Sequence, residues 1–160
     1  MVKYVKGNLL DSDCDYICHQ VNCQGVMNSG IARQIRERWP EVYHDYREWF
    51  ELITSNSAIM LGANTYTQVD DYAKTVVSMA AQYWYGYDGK KYTSYDAFNS
   101  CLNQIAIDIP KGKTIGFPKN IGCCRGGANW NIISTMIEEI LGEDYDVYIY
   151  EYEPNKEVTA

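Results

Sequence analysis

Apolar and β-branched residues first cluster at positions 2–6 and 15–22 (DYICHQVN), two short runs each followed or closed by glycine or asparagine. Such runs predict two opening strands. From residue 30 to 50 the spacing changes: Ile31, Ile35, Trp39, Val42, Tyr46 and Trp49 recur at helical intervals, with Arg33, Arg36, Arg38 and Glu41 between them. An amphipathic helix follows, bent or broken near Pro40. Strand-like stretches return at 58–69 and 73–80, with Asp70 and Asp71 as the turn between them. Thr93 and Ser94 then precede a helix carrying Tyr95, Phe98, Leu102, Ile105 and Ile109, which stops at Pro110. A short strand at 113–117, an amphipathic helix over 130–141 and an alternating aromatic strand at 144–152 complete the pattern. The polar tail 153–160 is expected to fray.

This order, strand, strand, helix, paired strands, helix, strand, helix, strand, predicts a three-layer α/β/α fold with a mixed central sheet. Ligands of such folds sit beyond the strand ends. The chain has 160 residues, 46% of them hydrophobic, enough for one core and one domain over 1–152. Its 14 basic and 21 acidic side chains leave a net charge of -7, the wrong sign for gripping a nucleic-acid backbone through the bulk field. A polyanionic ligand must then be held by local backbone donors. No apolar run approaches the roughly 18 residues of a membrane span and the start lacks a signal-peptide pattern, so the expectation is a cytoplasmic protein without a membrane partner. Free thiols are expected for the six cysteines. Cys14, Cys18, His19 and Cys23 are metal-ligand types, yet Cys18 and His19 point to opposite faces of a strand, so no metal site and no cofactor are expected.

Two loops each join a strand to a helix. The first runs through Asn22, Gly25, Val26, Met27, Asn28, Ser29, Gly30 and Ile31. The second runs through Gly122, Cys123, Cys124, Arg125, Gly126, Gly127, Ala128 and Asn129. Glycines allow left-handed backbone and close approach, and backbone N–H groups at a helix N-terminus cradle phosphate. Tight turning alone is the other reading of either loop. Neither carries the Rossmann glycine spacing or the Gly-Lys-Ser/Thr ending of a P-loop. Cys123 and Cys124 are either a reactive pair or small packing residues; the aromatic run 83–92 is either a base-stacking surface or a lid.

Four blocks, YVKGNLL at 4–10, HQVNCQGVMNSGIA at 19–32, QYWYGYDGKKYTSYDAF at 82–98 and FPKNIGCCRGGANWNIISTMIEEI at 117–140, resemble the macrodomain family in order and over nearly the whole chain. The resemblance is to the short, single-domain members that include ADP-ribose-1''-phosphate phosphatases and a terminal ADP-ribose protein glycohydrolase. It implies ADP-ribose, or a derivative of it, as the ligand, free or carried by an ADP-ribosylated protein. Asn8 stands where the family contacts adenine, commonly with aspartate, and Leu9 follows it. Tyr150 falls near the adenine, Asn22 at the distal ribose, and Gln82 and Tyr83 at the ribose end. The two glycine loops are implied to hold the diphosphate.

For chemistry, His19 matches a histidine of the yeast-type phosphatases and is the candidate acid, base or nucleophile, with Asn22 orienting the ribose. A buried, hydrogen-bonded core histidine is the competing reading. The glycohydrolase relatives use a lysine and an aspartate where this chain has Gln82 and Gly126, so their lysine-adduct route is not expected here. The expected function is hydrolysis of ADP-ribose-1''-phosphate to ADP-ribose. A non-catalytic ADP-ribose reader and a protein de-ADP-ribosylase are the alternatives.

Overall fold

A computed structural model describes residues 1–86 and 88–153. Tyr87, within the aromatic run, and nearly all of the expected polar tail lie outside the described residues. Among the described residues six strands form one sheet in the order β1-β6-β5-β2-β4-β3, with β1 Val2–Lys6, β2 Tyr16–Val21, β3 Asn64–Val69, β4 Lys74–Ala80, β5 Thr114–Pro118 and β6 Asp146–Glu151. All neighbours are parallel except β3, which pairs antiparallel with β4 as the sequence pattern requires of a hairpin. Asp70, Asp71 and Tyr72 take positive φ in succession to make its turn.

Parallel strands covered on both faces read as nearly continuous apolar runs, and β2 does so: Ile17, Cys18, His19 and Val21 are all buried. Alternation then splits them between two cores. Cys18 joins the layer under α3 (Tyr95–Asp108) and α4 (Trp130–Leu141), with Phe98, Leu102, Ile133 and Phe117. Ile17 and Val21 join the opposite layer under α1 (Gly30–Arg38) and α2 (Pro40–Leu52), with Ile35, Val42 and Tyr46. The result is the expected three-layer mixed-sheet architecture. The predicted break near Pro40 is also present, with Trp39 as the joint between α1 and α2 and Pro40 opening the second helix, where its missing N–H is not needed.

One expectation fails: residues 58–63 are not strand. The stretch Thr54–Met60 coils as 3₁₀ turns, and β3 begins only at Asn64. Gly62 takes a φ of +89° with Ser100 close to where a Cβ would stand, a reversal that stops the strand from extending backward.

Candidate functional site

The chain leaves β2 toward the α1/α2 face but leaves β4 and β5 toward the α3/α4 face. Loops diverging from adjacent parallel strands open a crevice at their carboxyl ends. There a cavity of about 320 Å³ lies between the two glycine loops, the size of a small-ligand site.

Its first wall is the loop into α1: Asn22, Val26, Met27, Asn28, Ser29, Gly30 and Ile31 line the space. Tyr46 of α2 shapes this loop from behind. Its hydroxyl accepts from the Gly25 N–H (3.0 Å) and lies 2.7 Å from the Asn22 carbonyl and 2.8 Å from Asn22 Oδ1. One phenolic hydrogen serves those two acceptors. Asn22 Oδ1 also accepts from the Gln24 N–H, and Asn22 Nδ2 donates to the Val26 carbonyl, so this side chain braces the loop as well as facing the cavity. Gly25 is behind the wall, at φ +76°, with Arg47 and Phe50 occupying the space a Cβ would need. We predict that Tyr46→Phe lowers stability by about 1–2 kcal/mol, because it strands the Gly25 amide; urea unfolding measures it.

At the end of this loop Ser29 occupies the N-cap of α1 in extended backbone but makes no side-chain cap bond. No acidic residue stands in the first turn. The first amides of α1, at Gly30, Ile31 and Ala32, therefore have no partner within the helix or its cap, and all three residues line the cavity.

The second loop behaves differently. Gly122, Cys124, Arg125 and Gly126 line the cavity, while Cys123, Gly127, Ala128 and Asn129 do not. The expectation that both loops offer a helix N-terminus is corrected here: Asn129 caps α4 itself, its Oδ1 accepting from the Asn131 N–H at 2.8 Å. The loop is instead pinned to the chain before α3. The N–H groups of Tyr92 and Thr93 donate to the Gly126 carbonyl (2.7 and 2.9 Å), and Thr93 Oγ1 donates to the Gly122 carbonyl (2.8 Å). A side chain at 126 would collide with Thr93 Oγ1 and the Gly122 carbonyl, so the position has no room for the aspartate that the resemblance implies for the glycohydrolase route. Cys124 is exposed at the cavity, whereas burial, and secondarily Cys124, pushes the Cys123 thiol up to about 11. Cys123 is thus no activated nucleophile.

His19 does not reach the cavity. Its imidazole is fully buried between β2 and β4, with Nε2 2.8 Å from Ser78 Oγ, the residue directly across the ladder. Burial lowers its pKa from 6.5 to about 3. A neutral ring sealed in the α1/α2 core touches no ligand, which corrects its assignment as the catalytic group.

The residues expected at the adenine also stand off. Asn8 Oδ1 accepts from the Leu10 N–H (3.0 Å) and caps a 3₁₀ turn, Leu9 is in the core, and Tyr150 packs near Gly7; none lines the cavity. Gln82 lines it; Tyr83 does not, and contributes its carbonyl, which accepts from the Cys23 N–H and from Gln24 Nε2. Tyr85 and Gly86 take the place expected of Tyr83.

The sequence reading missed Gln20 and Val21 at the end of β2, and Pro118, the last residue of β5, with Lys119 and Asn120 after it. A strand end next to a glycine loop was the available signal. No Asp, Glu or His belongs to the described wall of this cavity, although the chain carries 21 acidic residues; Lys119 and Arg125 are its charged members. Lys119 Nζ lies 3.9 Å from a Glu151 carboxylate oxygen. The wall thus offers amides and cations, a setting for an anion.

No model of a known protein family matches the chain. It is similar to the DNA ADP-ribosyl glycohydrolase of Thermus aquaticus, 23% identical over 96% of this chain and 41% of that protein. The Mycobacterium tuberculosis protein of the same name is 42% identical over 48 residues, 30% of this chain. The ADP-ribose 1''-phosphate phosphatase of Saccharomyces cerevisiae is 40% identical over 57 residues, 34% of this chain and 32% of that protein. The matched parts thus span 14% of the mycobacterial relative and less than half of the other two. Among solved structures, the macrodomain of Thermus aquaticus DarG superposes with a TM-score of 0.75 at 20% identity, covering 94% of this chain and 98% of that one. Thermosipho africanus DarTG, solved in complex with ADP-ribose, superposes with a TM-score of 0.76 at 18% identity over 96% of this chain and 42% of that one.

Proposed function

From the premise that the chain is a macrodomain by fold, we propose that it binds ADP-ribose in this cavity and hydrolyses a derivative of it. One observation carries the binding: the uncapped N-terminus of α1 opens onto a cavity whose described wall holds Lys119 and Arg125 but no carboxylate. Three amides and a helix dipole there match a diphosphate, which explains how a chain of net charge -7 accommodates a dianion. An aspartate at the N-cap would occupy those amides and repel the ligand. Ser29→Asp is therefore expected to hold or raise stability by up to about 1 kcal/mol while weakening ADP-ribose more than tenfold, read by thermal unfolding and calorimetry.

Support for turnover comes from the relatives that carry hydrolase names. Removal of phosphate from ADP-ribose-1''-phosphate ranks ahead of glycohydrolysis by a lysine adduct, since Gln82 and Gly126 stand where the family resemblance implies lysine and aspartate for that route. Water adds to phosphorus, the bond from phosphorus to the bridging 1'' oxygen breaks, and ADP-ribose and inorganic phosphate leave. Loop amides stabilise the developing charge, and Asn22 faces the ribose. His19→Ala should keep phosphate release within about tenfold of wild type at pH 7. A loss of a hundredfold or more in a folded variant would restore His19 to the chemistry.

Binding without turnover, a reader of free or attached ADP-ribose, is the second reading. The absence of His, Asp and Glu from the described wall favours it. ADP-ribose binding without phosphate release would decide for it.

A further inference from the structure

Gln20 is the last inward residue of β2 on the α3/α4 side, and its amide is locked by its neighbours. Gln82 Nε2 donates to the Trp84 carbonyl (2.8 Å), so Gln82 Oε1 faces Gln20 as an acceptor. Thr93 Oγ1 donates its one hydrogen to the Gly122 carbonyl, so toward Gln20 it too is an acceptor. Gln20 Nε2 must therefore donate to both, at 2.7 and 2.8 Å, and both amide hydrogens are engaged. No flip of the amide is compatible with these partners.

Gln20 Oε1 is consequently fixed as an acceptor, and it is buried with no donor in the described structure. Gln20 and Gly122 both belong to the cavity wall, and a Cβ at 122 would stand 2.8 Å from this oxygen. A side chain at 122 would press directly on this oxygen, which is already screened from solvent. A buried acceptor without a donor is destabilising, so an occupant that brings an O–H to it gains more than an ordinary hydrogen bond.

Building on the ADP-ribose reading, we propose that Gln20 Oε1 accepts a hydrogen bond from a hydroxyl of the bound ligand's distal ribose and makes the site selective for an intact sugar. The diphosphate oxygens of ADP-ribose carry no hydrogen at neutral pH and cannot serve; a ribose hydroxyl can. Gln20 thereby joins recognition to loop order, because the same side chain ties the Gln82 strand end to the Thr93 anchor of the second glycine loop.

The test is a matched set of calorimetric titrations with ADP-ribose, 2''-deoxy-ADP-ribose and 3''-deoxy-ADP-ribose, on wild type and Gln20→Met. Wild type should bind one deoxy analogue about tenfold or more weakly than ADP-ribose, and Gln20→Met should bring that ratio close to one. If wild type binds ADP-ribose and both analogues equally, the selectivity is refuted while ADP-ribose binding stands. If Gln20→Met weakens all three ligands by the same factor, the residue only positions loops and the proposal is overturned. Wild type without affinity for ADP-ribose removes this proposal together with the function it rests on.

Discussion

Acidification from pH 7 toward pH 3 is expected to cost the fold several kcal/mol through His19 alone. The imidazole is held neutral in the core, with a pKa lowered by burial from 6.5 to about 3. In the unfolded chain it protonates as the pH falls through 6.5, and the folded chain does not follow until about 3. The unfolded state therefore binds the extra proton across that window. The stability contributed by the neutral ring is complete above pH 6.5 and is lost progressively below it, by as much as about 4–5 kcal/mol. Urea midpoints measured between pH 7 and 4 on wild type and His19→Gln separate this from the common carboxylate background. The variant should be less stable at pH 7, since Ser78 Oγ loses its 2.8 Å partner, and should show a shallower decline. Equal slopes would mean that His19 titrates normally in the folded protein.

Gly126→Ala is expected to destabilise by roughly 2–3 kcal/mol although it adds a single methyl group. The methyl would overlap Thr93 Oγ1 and the Gly122 carbonyl, and neither can retreat. Thr93 is 1% exposed and bonded to Gln20 and Gly122, while the Gly122 carbonyl also accepts from the Ala128 N–H (3.0 Å). Differential scanning calorimetry reads the loss. Cys124→Ala, two residues away on an exposed wall position, should change stability by less than about 0.5 kcal/mol and serves as the control. A stable Gly126→Ala would show that the loop can yield, and would reopen position 126 to a carboxylate.

The sheet and its helices were legible because their periodicities are strong: the helical stripe through Ile35, Val42 and Tyr46 buries as its spacing requires. Residues 58–63 misled because short apolar runs do not declare their period, and the left-handed turn at Gly62 is a tertiary choice. Of the site, the first glycine loop was readable from residue types alone. The second was half readable: nothing local distinguishes Arg125, which lines the cavity, from Asn129, which turns away to cap α4. His19 misled for a physical reason. A polar group inside an apolar run suggests function, but its partner is Ser78, 59 residues distant, brought opposite by the register of β2 on β4. Gln20 stayed hidden for the same reason. Its interest lies in an oxygen left over after Gln82 and Thr93 take both amide hydrogens, which no sequence pattern records.

The most direct test of an anion site at the start of α1 is calorimetry of ADP-ribose against wild type and Ser29→Asp in parallel, with thermal unfolding of both. Saturable binding to wild type, more than tenfold weaker in a variant at least as stable, is the predicted outcome. No binding to wild type, or equal affinity for the two proteins, would contradict it.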